Sequence, residues 1–173
     1  MIVLGIDPGT ATTGYGVVKG APGGLGTSSL VECGVIRTRA REPLAVRLRE
    51  IYEGVRELIA RHHPDALSVE DVFYAKNVRT TVVLGHARGV VLLAGEQAGI
   101  AIHEIPPAEI KKAVVGRGGA SKEQVQFMLT RLLRLKSAPQ PSDAADGVAA
   151  ALACLSGIGA PSIARARVPG GRP

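Results

Sequence analysis

The chain has 173 residues, about one domain's worth, and a compact fold of that size takes about 70% of its unfolded surface out of water. A hydrophobic share of 46% with 21% charged residues excludes wholesale disorder, a coiled coil and a collagen-like fibre. The net charge of +6, with a pI near 9.7, points to a polyanionic partner. No run approaches the ~18 uncharged apolar residues of a membrane span. The opening MIVLGIDPGT lacks a basic flank and meets an aspartate early, so no signal peptide is expected. Cys33 and Cys154 lie far apart in apolar contexts, as small core residues of a cytoplasmic protein would.

Residues 2–7 are an apolar run ending in Asp7. A second run, 15–19, follows glycines, and 30–37 alternates with Val31, Cys33 and Val35 on one side. The three predict an antiparallel meander. Pro43 opens a helix with Leu44, Leu48, Ile51, Val55 and Leu58 in one stripe, and His62-His63-Pro64 ends it. Residues 66–70 form a short strand ending in Glu70. Residues 78–97 are long, low in charge and rich in small side chains, which predicts a helix packed on two sides. Residues 100–105 are a buried strand stopped by Pro106-Pro107, and 109–115 a short helix. Ser121 and Gln124 have the spacing of a capping box ahead of Val125, Met128, Leu129, Leu132 and Leu133. Ser142 is expected to cap a last helix running to about Leu155. The order βββαβαβ followed by helices predicts an α/β fold: a five-stranded mixed sheet flanked by helices on both faces, its fourth and fifth strands parallel. Residues 1–156 are read as the domain, and 157–173, with Arg165, Arg167 and Arg172, as a flexible basic tail.

Charge is uneven. Between 111 and 136 stand seven bases (Lys111, Lys112, Arg117, Lys122, Arg131, Arg134, Lys136) against one acid, Glu123. Asp7 and Glu70 each end a strand, and Asp143 and Asp146 share a face at a helix start. If the strands are neighbours, four acids converge, which like-charge repulsion opposes without a cation. Oxygen-only ligands suit Mg²⁺ or Mn²⁺, two of which clamp a phosphodiester and activate water. Plainer roles stand beside this one. Asp143 and Asp146 complement a helix dipole, Asp7 opens a turn with Pro8-Gly9, and Glu70-Asp71 is a solvated strand end.

Five blocks in order, GIDPGTATTGYGVV, VEDVFYAKN, GHARGV, PPAEIKKAVVG with ASKEQVQFML, and DAADGVAAALA, resemble the RuvC Holliday-junction resolvases of bacteria. The resemblance spans about residues 2 to 156 and implies an RNase H-like fold. It implies a homodimer whose two sites nick strands of like polarity at a four-way DNA junction in recombination and repair, leaving ligatable ends. It implies Asp7, Glu70, Asp143 and Asp146 as ligands of two Mg²⁺ ions, replaceable by Mn²⁺, with Asp7 bridging them. Lys111 and Lys122 are implied beside the scissile phosphate, and Phe73 as the ring that wedges into the junction centre. Tyr74, Lys76, Asn77, Arg79, Lys112 and Arg117 are implied as further DNA contacts. The helix over 78–97 matches the family's dimer helix, and the RuvAB branch-migration complex is the implied partner.

Two other readings stay open on the residues. One is an actin-like or sugar-kinase-like ATPase module whose glycine turn, Gly9 to Gly14, cradles phosphate. The other is a junction-binding protein without catalysis.

Overall fold

The computed structural model describes residues 1–71 and 78–158. Its elements are β1 (Ile2–Asp7), β2 (Thr12–Lys19), β3 (Ser29–Arg37), α1 (Leu44–His62), β4 (Ala66–Glu70), α2 (Val78–Ala98), β5 (Ala101–Ile105), α3 (Pro107–Val115), α4 (Lys122–Leu132) and α5 (Ser142–Leu155), with a short 3-10 turn at Leu25–Thr27. The sheet order is β3-β2-β1-β4-β5. The first three strands pair antiparallel, and β4 runs parallel to both β1 and β5, which is the expected mixed sheet.

Period-two alternation sorts the strand residues between two cores. Leu4, Ile6, Val17, Leu67, Val69 and Ile102 meet Ile51, Val55 and Leu58 of α1 and Ala87, Val91 and Ala94 of α2. Val3, Val18, Ala66 and Ile105 meet α3, α4 and the alanine-rich α5 on the other face. Leu152 and Leu155 of α5 are wholly buried, a burial that contributes about 1.5–3 kcal/mol for each side chain.

Glycines let α5 lie directly on the sheet. A Cβ at Gly14 would stand 1.9 Å from the Asp143 carbonyl oxygen, and one at Gly5 2.1 Å from that of Gly147. The buried Ser68 hydroxyl donates to the Ala150 carbonyl at 2.8 Å, tying β4 to the same helix. The first turn of α5 is thereby pressed against the ends of β1 and β2.

Four local expectations change. The second strand begins at Thr12, not at residue 15, because Gly14 pairs with Asp7 across the antiparallel ladder. The alternation in β3 is broken by a bulge: Glu32 pairs with Val17 and Leu30 with Val18, so Val31 is the extra residue and stands 50% exposed. The second helix packs through one side only, leaving Val78, Val82 and Leu93 exposed. Ser142 is the first helical residue of α5, with Pro141 at the cap position and no side-chain cap. Packing of α5 on the glycine strands sets that start, where a local capping signal was expected. Phe73, Tyr74, Lys76 and Asn77 lie outside the described residues, as does the tail beyond Ile158.

Candidate active site

Because β1 and β4 are parallel neighbours, their carboxyl ends share one edge of the sheet. Alternation puts Asp7 and Glu70 on the α5 face, the side that Val3 and Ala66 occupy further back along the same strands. In α5, Asp143 and Asp146 are the partly open positions of a stretch that is otherwise buried from Ala144 to Leu155. One carboxylate oxygen from each of Asp7, Asp143 and Asp146 lies within 4.8 Å of the other two. Glu70 falls outside that tight trio but lines the same cleft, together with Asp7, Asp146, Lys111, Lys122, Pro107, Ile110, Val125 and Ala149.

The lysines arrive from the helices beyond. The capping box at Ser121 forms in full: its hydroxyl accepts from the Gln124 amide at 3.3 Å, and the Gln124 side chain accepts from the Ser121 amide at 3.0 Å. It fixes the start of α4, where Lys122 donates to Asp146 Oδ2 at 2.7 Å. Lys111 reaches the cleft from α3. Its neighbour Lys112 is exposed and does not line the cleft, and Arg117 is exposed in the turn after α3. Arg79 is exposed in the first turn of α2.

The electrostatics are those of a crowded anionic pocket. Burial, then the charges of Asp146 and Asp143, push the Asp7 carboxyl up to about 7, against the pull of Lys122. Burial, then Asp7 and Asp146, push Glu70 up to about 8, against Lys111 and Lys122. Burial also raises Asp146, despite its bond to Lys122. Burial works against the Lys122 ammonium, but its bond to Asp146 and the acids nearby hold it above its ordinary range. The donor set is oxygen only, partly dry and self-repelling, which fits a hard divalent cation.

Sequence reasoning missed Asp71, Arg88 and Glu104, which form an ion-pair group on the opposite face of the same sheet edge. The signal available was the pair of adjacent acids Glu70-Asp71, since neighbours in a strand point to opposite faces.

Within the glycine turn, Gly9 is paired with Thr13. The Gly9 amide donates to the Thr13 hydroxyl at 3.3 Å, and that hydroxyl donates back to the Gly9 carbonyl at 2.7 Å. His62 bonds Glu32 at 2.8 Å on the far side of the sheet and has no part in the cleft.

The model of the family described as crossover junction endodeoxyribonuclease RuvC matches residues 3–154. A protein of that name from Desulforamulus reducens is 45% identical over 152 residues, covering 88% of this chain and 91% of the relative. One from Chloroflexus aggregans is 48% identical over 152 residues, with the same two coverages. Among solved structures, Thermus thermophilus RuvC in complex with a Holliday junction substrate superposes with a TM-score of 0.86 at 36% identity, covering 93% of this chain and 99% of that one. With a family model matched over residues 3–154, relatives close to half identical over most of their length and the same fold, the protein belongs to the RuvC family of crossover junction endodeoxyribonucleases.

Proposed function

We propose that the chain resolves four-way DNA junctions as a homodimeric, divalent-metal-dependent endonuclease, making paired nicks in strands of like polarity. The observation that carries this reading is the gathering of Asp7, Asp143 and Asp146 within 4.8 Å, with Glu70, Lys111 and Lys122 around the same cleft. Asp7, Glu70, Asp143 and Asp146 would hold two Mg²⁺ ions, for which Mn²⁺ would substitute. When bound, the ions supply a Lewis acid and an activated water for phosphodiester hydrolysis.

The chain's own groups do the rest. Lys122, held by Asp146 at the cleft, would face the charge that develops on the scissile phosphate, where a fixed ammonium stabilises the transition state most. Lys111 neutralises the same region from α3. Lys112, Arg117 and Arg79, all exposed, grip the backbone of the arms, and such contacts make binding steeply salt-dependent. Phe73 and Tyr74 meet the bases at the junction centre, and Lys76 and Asn77 the adjoining backbone.

The dimer reading is supported by α2. It exposes Val78, Val82 and Leu93, and Gly85 and Gly89 have open space where a Cβ would stand. A two-fold through that helix would present two clefts to a nearly two-fold junction. The partner that supplies mobile junctions is RuvAB, and the compartment is the cytoplasm. Among the described residues no helix is long and apolar enough to cross a membrane.

A synthetic mobile four-way junction, incubated with Mg²⁺ or Mn²⁺ beside a linear duplex, tests the reading. Symmetric nicks on the junction alone are expected. Asp7→Asn is expected to abolish cutting while junction binding survives or tightens, because a negative charge near phosphate is gone. A variant cutting at the wild-type rate would remove Asp7 from the chemistry, and ATP turnover without cutting would restore the ATPase reading.

A further inference from the structure

We propose that Arg88 is a positioning residue for Glu70, acting through Asp71, and that Asp71 itself takes no part in metal binding. The proposal rests on the nuclease reading above and deepens it.

The strand end carries two acids in succession with opposite outlooks. Val69 belongs to the core on the α1 and α2 side, so alternation sends Glu70 to the cleft face and Asp71 back toward α2. There Arg88 Nη2 stands 3.2 Å from Asp71 Oδ1, and the same nitrogen bonds Glu104 on β5. The Asp71 amide donates to the Ile105 carbonyl at 2.9 Å, and Ile105 is the register partner of Glu70. One guanidinium therefore ties the last turn of the β4–β5 ladder from behind, at the point where Glu70 leaves the sheet on the other face. Without it, Asp71 and Glu104 would repel each other across that ladder.

The arginine is held for this pairing. Its side chain is 25% exposed, and its Nε is buried without a hydrogen-bond partner among the described residues. An unsatisfied buried donor is unfavourable, so the paired nitrogen is what orients the group. Both carboxylates are met by the one Nη2, which the planar guanidinium holds in a set direction; a lysine ammonium would be a point charge on a looser stem. Arg88 also lies on α2, the helix with the exposed apolar stripe, so the clamp joins the proposed pairing helix to the catalytic strand.

The test uses Asp71→Asn, Arg88→Gln, Arg88→Lys and the Asp71→Asn/Arg88→Gln double variant of the full chain. Three quantities are read: single-turnover cutting of a synthetic four-way junction at saturating protein, junction affinity in Ca²⁺, and Mn²⁺ binding by calorimetry. Removing a partner that orients a ligand costs roughly 10–100-fold, so Asp71→Asn and Arg88→Gln are each expected to slow cutting at least about tenfold. Mn²⁺ binding weakens severalfold in both, and junction affinity stays within about twofold, since phosphate contacts dominate it. Arg88→Lys recovers part of the rate. Because both groups act as one device, the double variant is no slower than the slower single.

Asp71→Asn cutting and binding Mn²⁺ like the wild type overturns the proposal, and so do losses that multiply in the double variant. If Arg88→Gln fails to fold, the near-isosteric Asp71→Asn and the Arg88→Lys variant carry the test. A wild type that cuts while Asp71→Asn is unaffected removes the clamp alone; a wild type that never cuts removes the nuclease reading and the clamp with it.

Discussion

Replacing Asp7 by asparagine should make the metal-free protein more stable while ending its activity. In the folded chain the Asp7 carboxyl titrates near about 7, against 3.8 for an ordinary aspartate. The native state thus binds this proton more tightly than the unfolded chain does. Stability is therefore fully present below 3.8 and declines as the pH rises through about 7. Some three units at about 1.36 kcal/mol each give a penalty of about 4 kcal/mol in weakly alkaline solution. Asparagine removes the charge and also relieves Glu70, whose rise owes part to Asp7, but its buried amide keeps some desolvation cost. A net gain of about 2–3 kcal/mol is expected, or about 5–10 °C in the melting midpoint of a chain this size. Calorimetric melts in EDTA at about pH 8 should show it, and the gap should close toward about pH 4 as the wild-type carboxyl gains its proton. Mn²⁺ at about 1,000 times its Kd should reverse the order, because it stabilises the wild type by about 4.1 kcal/mol and the variant by much less. An asparagine variant no more stable than the wild type in EDTA would show that Asp7 is not held ionised against its surroundings.

Other outcomes follow from the same geometry. Lys122→Ala should lower the single-turnover cutting rate about a hundredfold or more with little change in junction affinity, and a loss confined to affinity would make the lysine a phosphate anchor instead. Gly14→Ala places a methyl 1.9 Å from the Asp143 carbonyl, so α5 must shift. A loss of about 1–3 kcal/mol in urea unfolding, together with severe loss of cutting, is expected. Leu93, 48% exposed on α2, becomes a charge in Leu93→Glu; sedimentation should then find monomers, and paired nicking should fall. A variant that stays dimeric would move the pairing surface elsewhere.

The strands β1 and β4, the N-terminal cap of α4 and the acids that end the two strands were legible because their signals are local. An apolar run closing on Asp7 or Glu70, or a serine three residues before a glutamine, needs nothing beyond its own neighbours. The spacing of Asp143 and Asp146 likewise put both on one helical face. Their meeting with Asp7 was another matter. It depends on α5 lying against bare glycine backbone at Gly5, Gly14 and Gly16, a contact between segments more than a hundred residues apart. The same long-range pairing extends β2 to Thr12 and makes Val31 a bulge, where alternation had promised a core residue. The one-sided packing of α2 and the Arg88 clamp are of this kind too. Periodicity tells which side chains share a face; it carries no record of what the opposing face will be. That choice belongs to the assembled sheet, whose order brings Glu70 to the acids of α5 and turns Asp71 toward the arginine behind it.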